Sequence, residues 1–382
     1  MKLTNARILG PDFRFVRGTL ELEGNRIKGI LSGDAFLEKG DVDLEGKTII
    51  PGLIDVHMHG YGGVACSDPE PEHLLHLGRG LASQGVTGYS ATIGSAGDDR
   101  ALKGIRANAA AKRMEDDTRT GARCLGMHME GPFLNVEKKG GMDKNSIISP
   151  SVEKLQLYMD GAGEDVPVKI MTIAPEIPGA EEVIRYGISR GIHFSMGHTN
   201  AVQEEDRRAV EEWGASRLTH TFNAMRPLNH REIGVLGYSL TSDLVQCEMI
   251  SDFVHLKKEI CLMMYRVKGA DRITVISDSF QLAGVDQSQN PEGIPVIIKD
   301  AAYLLDGTLC GSTCTVMTCV RNLVSAGIPL EDAVKMASFN PARDMDALDR
   351  VGSIAPGKLA DLVILDEDLQ VQGVYIDGRK LF

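Results

Sequence analysis

The stretch Asp55-Val56-His57-Met58-His59-Gly60 carries two imidazoles two residues apart. On a strand, positions i and i+2 face the same side, so both rings can close on one metal ion. Leu53, Ile54 and Val56 lead into the pair, and Gly60, Gly62 and Gly63 follow it. The pattern predicts a buried strand that delivers two ligands to its C-terminal end, where a glycine-rich loop opens a cavity. Four further strings set nitrogen or carboxylate groups in similar surroundings: His128-Met129-Glu130-Gly131-Pro132-Phe133, Gly197-His198-Thr199-Asn200-Ala201, Thr219-His220-Thr221-Phe222-Asn223-Ala224-Met225 and Ser277-Asp278-Ser279. Imidazoles and carboxylates converging from separate strands form the donor set of a hydrolytic divalent-metal site. Singly, each has a plainer reading. His198 or His220 alone reads as a hydrogen-bonded core histidine, Glu130 as a cap or ion-pair partner, and Asp278 as a cap of the segment after it. The coincidence of His57, His59, Glu130, His198, His220 and Asp278 at strand ends favours the metal. His128 shares a strand face with Glu130 but is not counted as a ligand. His73, His76 and His193 read as structural or exposed.

The elements that must position these groups follow from short apolar segments at 53–59, 86–92, 123–130, 168–174, 192–198, 217–222, 247–252 and 273–278. Helical patterns lie between them, at Glu70–Ser83, Glu181–Arg190 and Gln203–Trp213, and beyond them at Leu330–Ser338. Eight strands interleaved with helices predict an α/β fold, a (β/α)8 TIM-like barrel, whose functional side chains belong at the strand ends. Residues 281–316 break the repeat. Their Gly284, Asn290-Pro291, Gly293 and Asp306-Gly307 predict a hairpin insertion over the barrel mouth. Leu20, Leu22, Ile27 and Ile30 alternate around Gly24-Asn25, and Ala360–Leu365 with Val371–Ile376 reads as two more strands. Neither end makes a sheet alone. The expectation is one small β-sandwich from 1–52 together with 350–382, around a catalytic barrel at 53–349.

With 382 residues the chain can bury a large core, and 43% hydrophobic with 25% charged residues is ordinary for a globular protein. A net charge of −12 argues against a nucleic-acid or anionic-membrane partner. An anionic substrate would therefore need a locally basic pocket. No apolar run reaches the length of a membrane span, and the first residues enter a strand pattern with no signal core. The seven cysteines are odd in number and lack a C-x-x-C pair, so they read as buried hydrophobes in a cytoplasmic protein. Cys66 lies near the loop after His59.

Taken together, these strings resemble the amidohydrolase superfamily and, within it, the N-acetylglucosamine-6-phosphate deacetylases. Thr308-Leu309-Cys310-Gly311-Ser312 is similar to that family's substrate-side loop, and Gly352–Val363 to a strand entry shared across the superfamily. The resemblance implies that Glu130, His198 and His220 hold a divalent metal, zinc or iron, with Asp278 as general acid/base. It implies that His57 and His59 can complete a second metal site bridged by Glu130. Some members replace these histidines and keep one metal; this chain retains them. The implied reaction is hydrolysis of an acetamido group on a phosphorylated amino sugar. Asn223, Ala224, Arg231 and His255 would take the phosphate end, and Gly141, Leu309, Cys310 and Gly311 would line the substrate. The resemblance also implies a homodimer in which Arg231 reaches the neighbouring pocket. Arg226, His230 and the Lys138-Lys139 pair are weaker phosphate candidates.

Two other readings compete. A cyclic-amide hydrolase of the dihydroorotase type would carry a carboxylated lysine at the end of strand four. Here that strand has its only lysine, Lys169, at the start, and Glu130 supplies the carboxylate from strand three. A catalytically dead scaffold would have lost ligands or Asp278, and none is missing. Neither the metal nor the sugar epimer follows from these residues.

Overall fold

The computed structural model describes residues 1–33, 37–118, 120–285 and 296–382. Eight parallel strands form the central sheet: β1 (Leu53–Met58), β2 (Val86–Gly94), β3 (Arg123–Glu130), β4 (Val168–Ile173), β5 (His193–Met196), β6 (Arg217–Leu218), β7 (Gln246–Ile250) and β8 (Ile273–Ile276). They pair in sequence order from β1 to β8. The sheet then curls until its edges meet: Asp278 N–H donates to His57 O and His59 N–H to Ser279 O, both at 2.9 Å. The closure is a (β/α)8 barrel, and it lies directly beneath the candidate ligands. Adjacent parallel strands require crossovers, and helices supply them. The first, Pro71–Ser83, opens with proline and buries Leu74, Leu77 and Leu81 along one stripe.

Inside the barrel, side chains at alternate positions are polar yet buried. His128 bonds Thr172, Thr172 bonds Thr219, and Thr219 bonds Ser195. Arg217, Glu248 and Thr274 continue this belt on β6, β7 and β8. Glu248 accepts from Arg217, and Thr274 donates to Asp344 on the helix Phe339–Asp344; such partners offset the cost of removing these groups from water.

Both chain ends enter a second sheet. Thr48–Pro51 pairs with Lys2–Leu9 on one side and with Leu362–Leu365 on the other, joining the two ends through backbone hydrogen bonds. Leu3, Ile8, Leu20, Ile27, Ile49, Leu362 and Tyr375 share one apolar core there. Between the barrel's last strand and its following helix, Val296–Ile298 and Ala302–Leu304 form an antiparallel hairpin. Asn290-Pro291 and Gly293, named above as part of this insertion, lie outside the described residues. No helix among the described residues is long and apolar enough to cross a membrane.

Several strands end earlier than expected, among them 192–198 after Met196, 247–252 after Ile250, 273–278 after Ile276 and, by the largest margin, 217–222. The segment 217–222 leaves the ladder after Leu218, because Thr219–Ala224 turn inward over the barrel. His220, Phe222 and Ala224 have φ of 27°, 79° and 51°. Left-handed backbone at non-glycine residues costs energy and recurs where a side chain must be aimed.

Candidate active site

Glu130 is the last residue of β3, and its carboxylate is the hub of the site. Its Oε1 lies 3.1 Å from His198 Nε2 and 3.1 Å from His220 Nε2. The two imidazole nitrogens are 3.0 Å apart. On the other side, His57 Nε2 is 3.4 Å from Oε1 and His59 Nε2 is 3.0 Å from Oε2. Asp278 Oδ1 closes the ring, 3.4 Å from His59 Nε2 and 3.6 Å from His57 Nε2. His198 and Asp278 each have a φ of 47°, so three of the six residues gathered here, with His220, sit in the left-handed region just past a strand end. That kink turns their side chains from the sheet face towards the barrel axis.

The donor set fits a divalent cation. His198 Nδ1 lies 2.8 Å from the Lys138 carbonyl, which only accepts, so Nδ1 carries the hydrogen in the neutral ring. Its Nε2 is then a lone pair facing a carboxylate and a second imidazole nitrogen. Glu130 Oε2 and His57 Nε2 are buried without hydrogen-bond partners. Among the described residues, two sets of three donor atoms that include Glu130 lie within 4.8 Å of one another: Glu130, His198 and His220, and His57, His59 and Glu130. Electrostatics agree. Burial alone would raise the Glu130 carboxyl, but His57, His59 and hydrogen bonds from His198 and His220 hold it well below the usual carboxylate range. Burial would lower His59, yet Glu130 and Asp278 bring it up to about 9. The surplus negative charge that draws protons here is the charge a cation would neutralise.

Above the cluster opens a cavity of about 870 Å³. Asn223, Ala224 and His255 line one wall; Gly141, Leu309, Cys310 and Gly311 line another. His255 has its Nδ1 2.7 Å from Asp252 Oδ2. Burial disfavours its charged form, but Asp252 raises its pKa above the usual histidine value. At Gly141 a Cβ would stand 2.7 Å from the Cys310 Cβ, so the β3 loop and the hairpin can meet only through glycine. The cavity continues past Ala65, Ser67, Arg100 and Gln281 into a cleft of about 610 Å³ that holds none of the candidate ligands.

Residues 48–381 match the amidohydrolase family. The chain belongs to that family. This amidohydrolase is 33% identical over 340 residues to the N-acetylglucosamine-6-phosphate deacetylase of Lysinibacillus sphaericus, covering 87% of the present chain and 85% of that protein. It is 30% identical to the N-acetylgalactosamine-6-phosphate deacetylase of Escherichia coli O157:H7, covering 92% of each chain. Its fold superposes on a mutant N-acetyl-D-glucosamine-6-phosphate deacetylase from Mycobacterium smegmatis in complex with N-acetyl-D-glucosamine-6-phosphate. The TM-score is 0.89 at 28% identity, with 100% of this chain and 99% of that one covered.

In this amidohydrolase all six residues named from the strand ends meet at one point, and Asn223, Ala224 and His255 line the cavity above it, but the other phosphate candidates scatter. Arg231 is exposed and does not line the cavity of its own chain. Arg226 donates through Nε to the Asn200 carbonyl at 2.7 Å, a brace between loops. His230 is exposed, and Lys138 offers its carbonyl to His198. Cys66 is buried with its thiol on the Met58 carbonyl, outside the cavity.

Sequence reasoning passed over three residues here. Arg100, at the start of the helix Asp98–Thr118, lines the cavity. Glu176 accepts from Asn135 Nδ2, Thr199 Oγ1 and the Asn200 N–H, tying the loops after β3 and β5 together. Glu248 reaches the cluster from behind, 2.9 Å from His57 Nδ1. For Glu248 the signal was present: a charge inside the apolar run Val245–Ile250 must have a partner.

Proposed function

We propose that this amidohydrolase hydrolyses the acetamido group of N-acetylglucosamine 6-phosphate, releasing acetate and glucosamine 6-phosphate. The observation that carries the reading is the juxtaposition of Glu130, His198 and His220 with Asp278 on the floor of a cavity of sugar-phosphate size. It is supported by similarity to proteins named for this activity.

Glu130, His198 and His220 would hold one divalent cation, zinc or iron, and His57 and His59 with Glu130 a second. Such a cation supplies Lewis acidity, polarising the amide carbonyl and making water easier to deprotonate. Asp278 does the proton work. Burial would raise its pKa, but His57 and His59 lower it, so it begins as the base. Its carboxylate takes a proton from the attacking water as the new C–O bond forms. It then returns that proton to the nitrogen as the C–N bond breaks, because an amide anion is too basic to leave. One carboxylate serves both steps in turn.

His255, with Asn223 and the Ala224 backbone, receives the phosphate end. Gly141 and Leu309–Gly311 close over the sugar. Arg231 is assigned to the cavity of a second copy in a homodimer, which is consistent with its absence from its own. A cytoplasmic location fits the reduced cysteines and the substrate class.

The deciding experiment is acetate release after the metal-stripped chain is reconstituted with individual divalent metals. N-acetylglucosamine 6-phosphate and its galacto epimer are assayed side by side. Release from the gluco sugar at the higher kcat/KM upholds the proposal. A preference for the galacto epimer corrects the substrate, and no release from either with any metal overturns the reading.

A further inference from the structure

Directly behind the cluster lies a buried carboxylate that no step above uses. Glu248 on β7 is 0% exposed. Its Oε2 is 2.9 Å from His57 Nδ1 and accepts the His220 backbone N–H at 3.0 Å. Its Oε1 accepts from Arg217 Nη2 at 3.0 Å. Arg217, also buried, pairs through Nη1 with Asp344, and Asp344 Oδ2 accepts the Thr274 hydroxyl at 2.6 Å. The carboxylate is therefore held at both ends: Arg217 occupies one oxygen and thereby points the other at His57.

A carboxylate only accepts, so in the neutral ring, the form that ligates a cation, the hydrogen between Glu248 and His57 belongs to Nδ1. The opposite nitrogen, Nε2, is left with its lone pair. That atom is buried and without a hydrogen-bond partner, and faces Glu130 Oε1 at 3.4 Å. The same oxygen that orients His57 also holds the backbone of His220 at its kinked φ of 27°. Two histidines on opposite sides of Glu130 thus depend on one carboxylate.

We propose that Glu248, backed by Arg217 and Asp344, is a positioning residue of the metal centre: it holds His57 as the Nδ1–H tautomer and so presents Nε2 to the Glu130 side as a bare donor atom. The proposal rests on the metal-centre reading given under Proposed function. A cation seated instead among His57, His128 and Glu248, whose donor atoms also lie within 4.8 Å of one another, is disfavoured. Arg217 already brings positive charge to Glu248, and hydrogen bonds occupy both Glu248 oxygens.

The test uses the full-length zinc-loaded chain with ¹⁵N-labelled histidines, His57 being assigned by its absence from His57→Asn. The expected spectrum has a proton on His57 Nδ1 and none on Nε2; a proton on Nε2 overturns the proposal. Cobalt titration then follows each binding equivalent by visible absorption. Glu248→Gln, whose amide oxygen still accepts one bond, weakens the His57-dependent equivalent by about 10–100-fold, the usual loss when a partner behind a metal ligand is removed. In a His57→Asn background the same substitution weakens the equivalent on the His57 and His59 side no further, because on that side its effect passes through His57; any loss at the Glu130, His198 and His220 equivalent runs through the His220 backbone and is the same in both backgrounds. Equal losses of the His57-side equivalent in both backgrounds would mark a purely structural role and overturn the proposal. If Glu248→Gln fails to fold, the wild-type spectrum still decides. A wild-type chain that binds a single equivalent while His57 Nε2 is bare upholds the positioning role and overturns only the second-cation part of the functional reading.

Discussion

Asp278 is held between two imidazoles, with His59 Nε2 at 3.4 Å and His57 Nε2 at 3.6 Å, and it lies beside rather than within the Glu130, His198 and His220 triad. A carboxylate in that position can exchange a proton without giving up a ligand bond. Asp278→Asn is therefore expected to lower kcat by about 10²–10⁴-fold, the range for loss of a general acid/base, with metal content unchanged by elemental analysis. Near-normal turnover would remove Asp278 from proton transfer. Loss of the metal alongside activity would make it a ligand instead.

Among the elements, the helix Gln203–Glu211 meets the helix Gly234–Thr241 through a buried carboxyl. Ser239 Oγ donates to Asp206 Oδ2 at 3.0 Å, while Oδ1 has no partner. Burial raises the Asp206 pKa, and the Ser239 hydrogen bond only partly opposes it, leaving the group at about 8. In the unfolded chain an aspartate titrates near 4. The folded state thus keeps a proton that the unfolded state has already lost. This contribution to stability is full below about pH 4, declines as pH rises, and is lost by about pH 8. Asp206→Asn, which stays neutral, should raise Tm relative to wild type at pH 8 and lose that advantage at pH 5. A Tm difference independent of pH would show that Asp206 is ionised throughout.

Two further consequences belong to the whole molecule. Arg123, at the start of β3, donates to Asp361 Oδ2 at 2.7 Å and to Asp377 Oδ1 at 2.9 Å, bridging the barrel to the terminal sheet. The Arg123 and Asp361 side chains are only 7% and 3% exposed. Arg123→Met leaves Asp361 buried without its partner and should cost about 3–5 kcal/mol in denaturant unfolding, with kcat per folded molecule preserved. A loss below about 1 kcal/mol, the range of exposed pairs, would mean that water reaches these carboxylates. The exposed Arg231 is tested across subunits. Arg231→Ala should raise KM for the phosphorylated sugar more than for its unphosphorylated analogue. Mixing Arg231→Ala with the inactive Asp278→Asn chain should restore low-KM activity, since one site of each mixed dimer then has both residues. If no activity returns, Arg231 does not act across the interface.

Apolar periodicity, glycine turns and polar strand termini are local signals, so the barrel and the six clustered residues were legible along the chain, although several strands end earlier than those signals suggest. His57, His59, Glu130, His198, His220 and Asp278 could be named from their neighbours alone. The terminal sheet was legible only in part: Leu20–Ile30 read as a hairpin, but the pairing of Thr48–Pro51 with Leu362–Leu365 spans some three hundred residues of chain. Which charges meet depends on contacts between segments far apart in the chain. Glu248 and Arg217 look unrelated along the chain, and Arg231 and Arg226 look alike as loop cations. Yet one pair sits in the barrel interior behind His57, one arginine braces a loop, and the other faces solvent away from its own cavity. Hydrogen-bond geometry and burial are properties of positions in space, and sequence order does not contain them. That is why the His57-x-His59 pair could be read as a ligand motif from its spacing, whereas the nitrogen that the His57 ring offers became visible only once Glu248 was in place behind it.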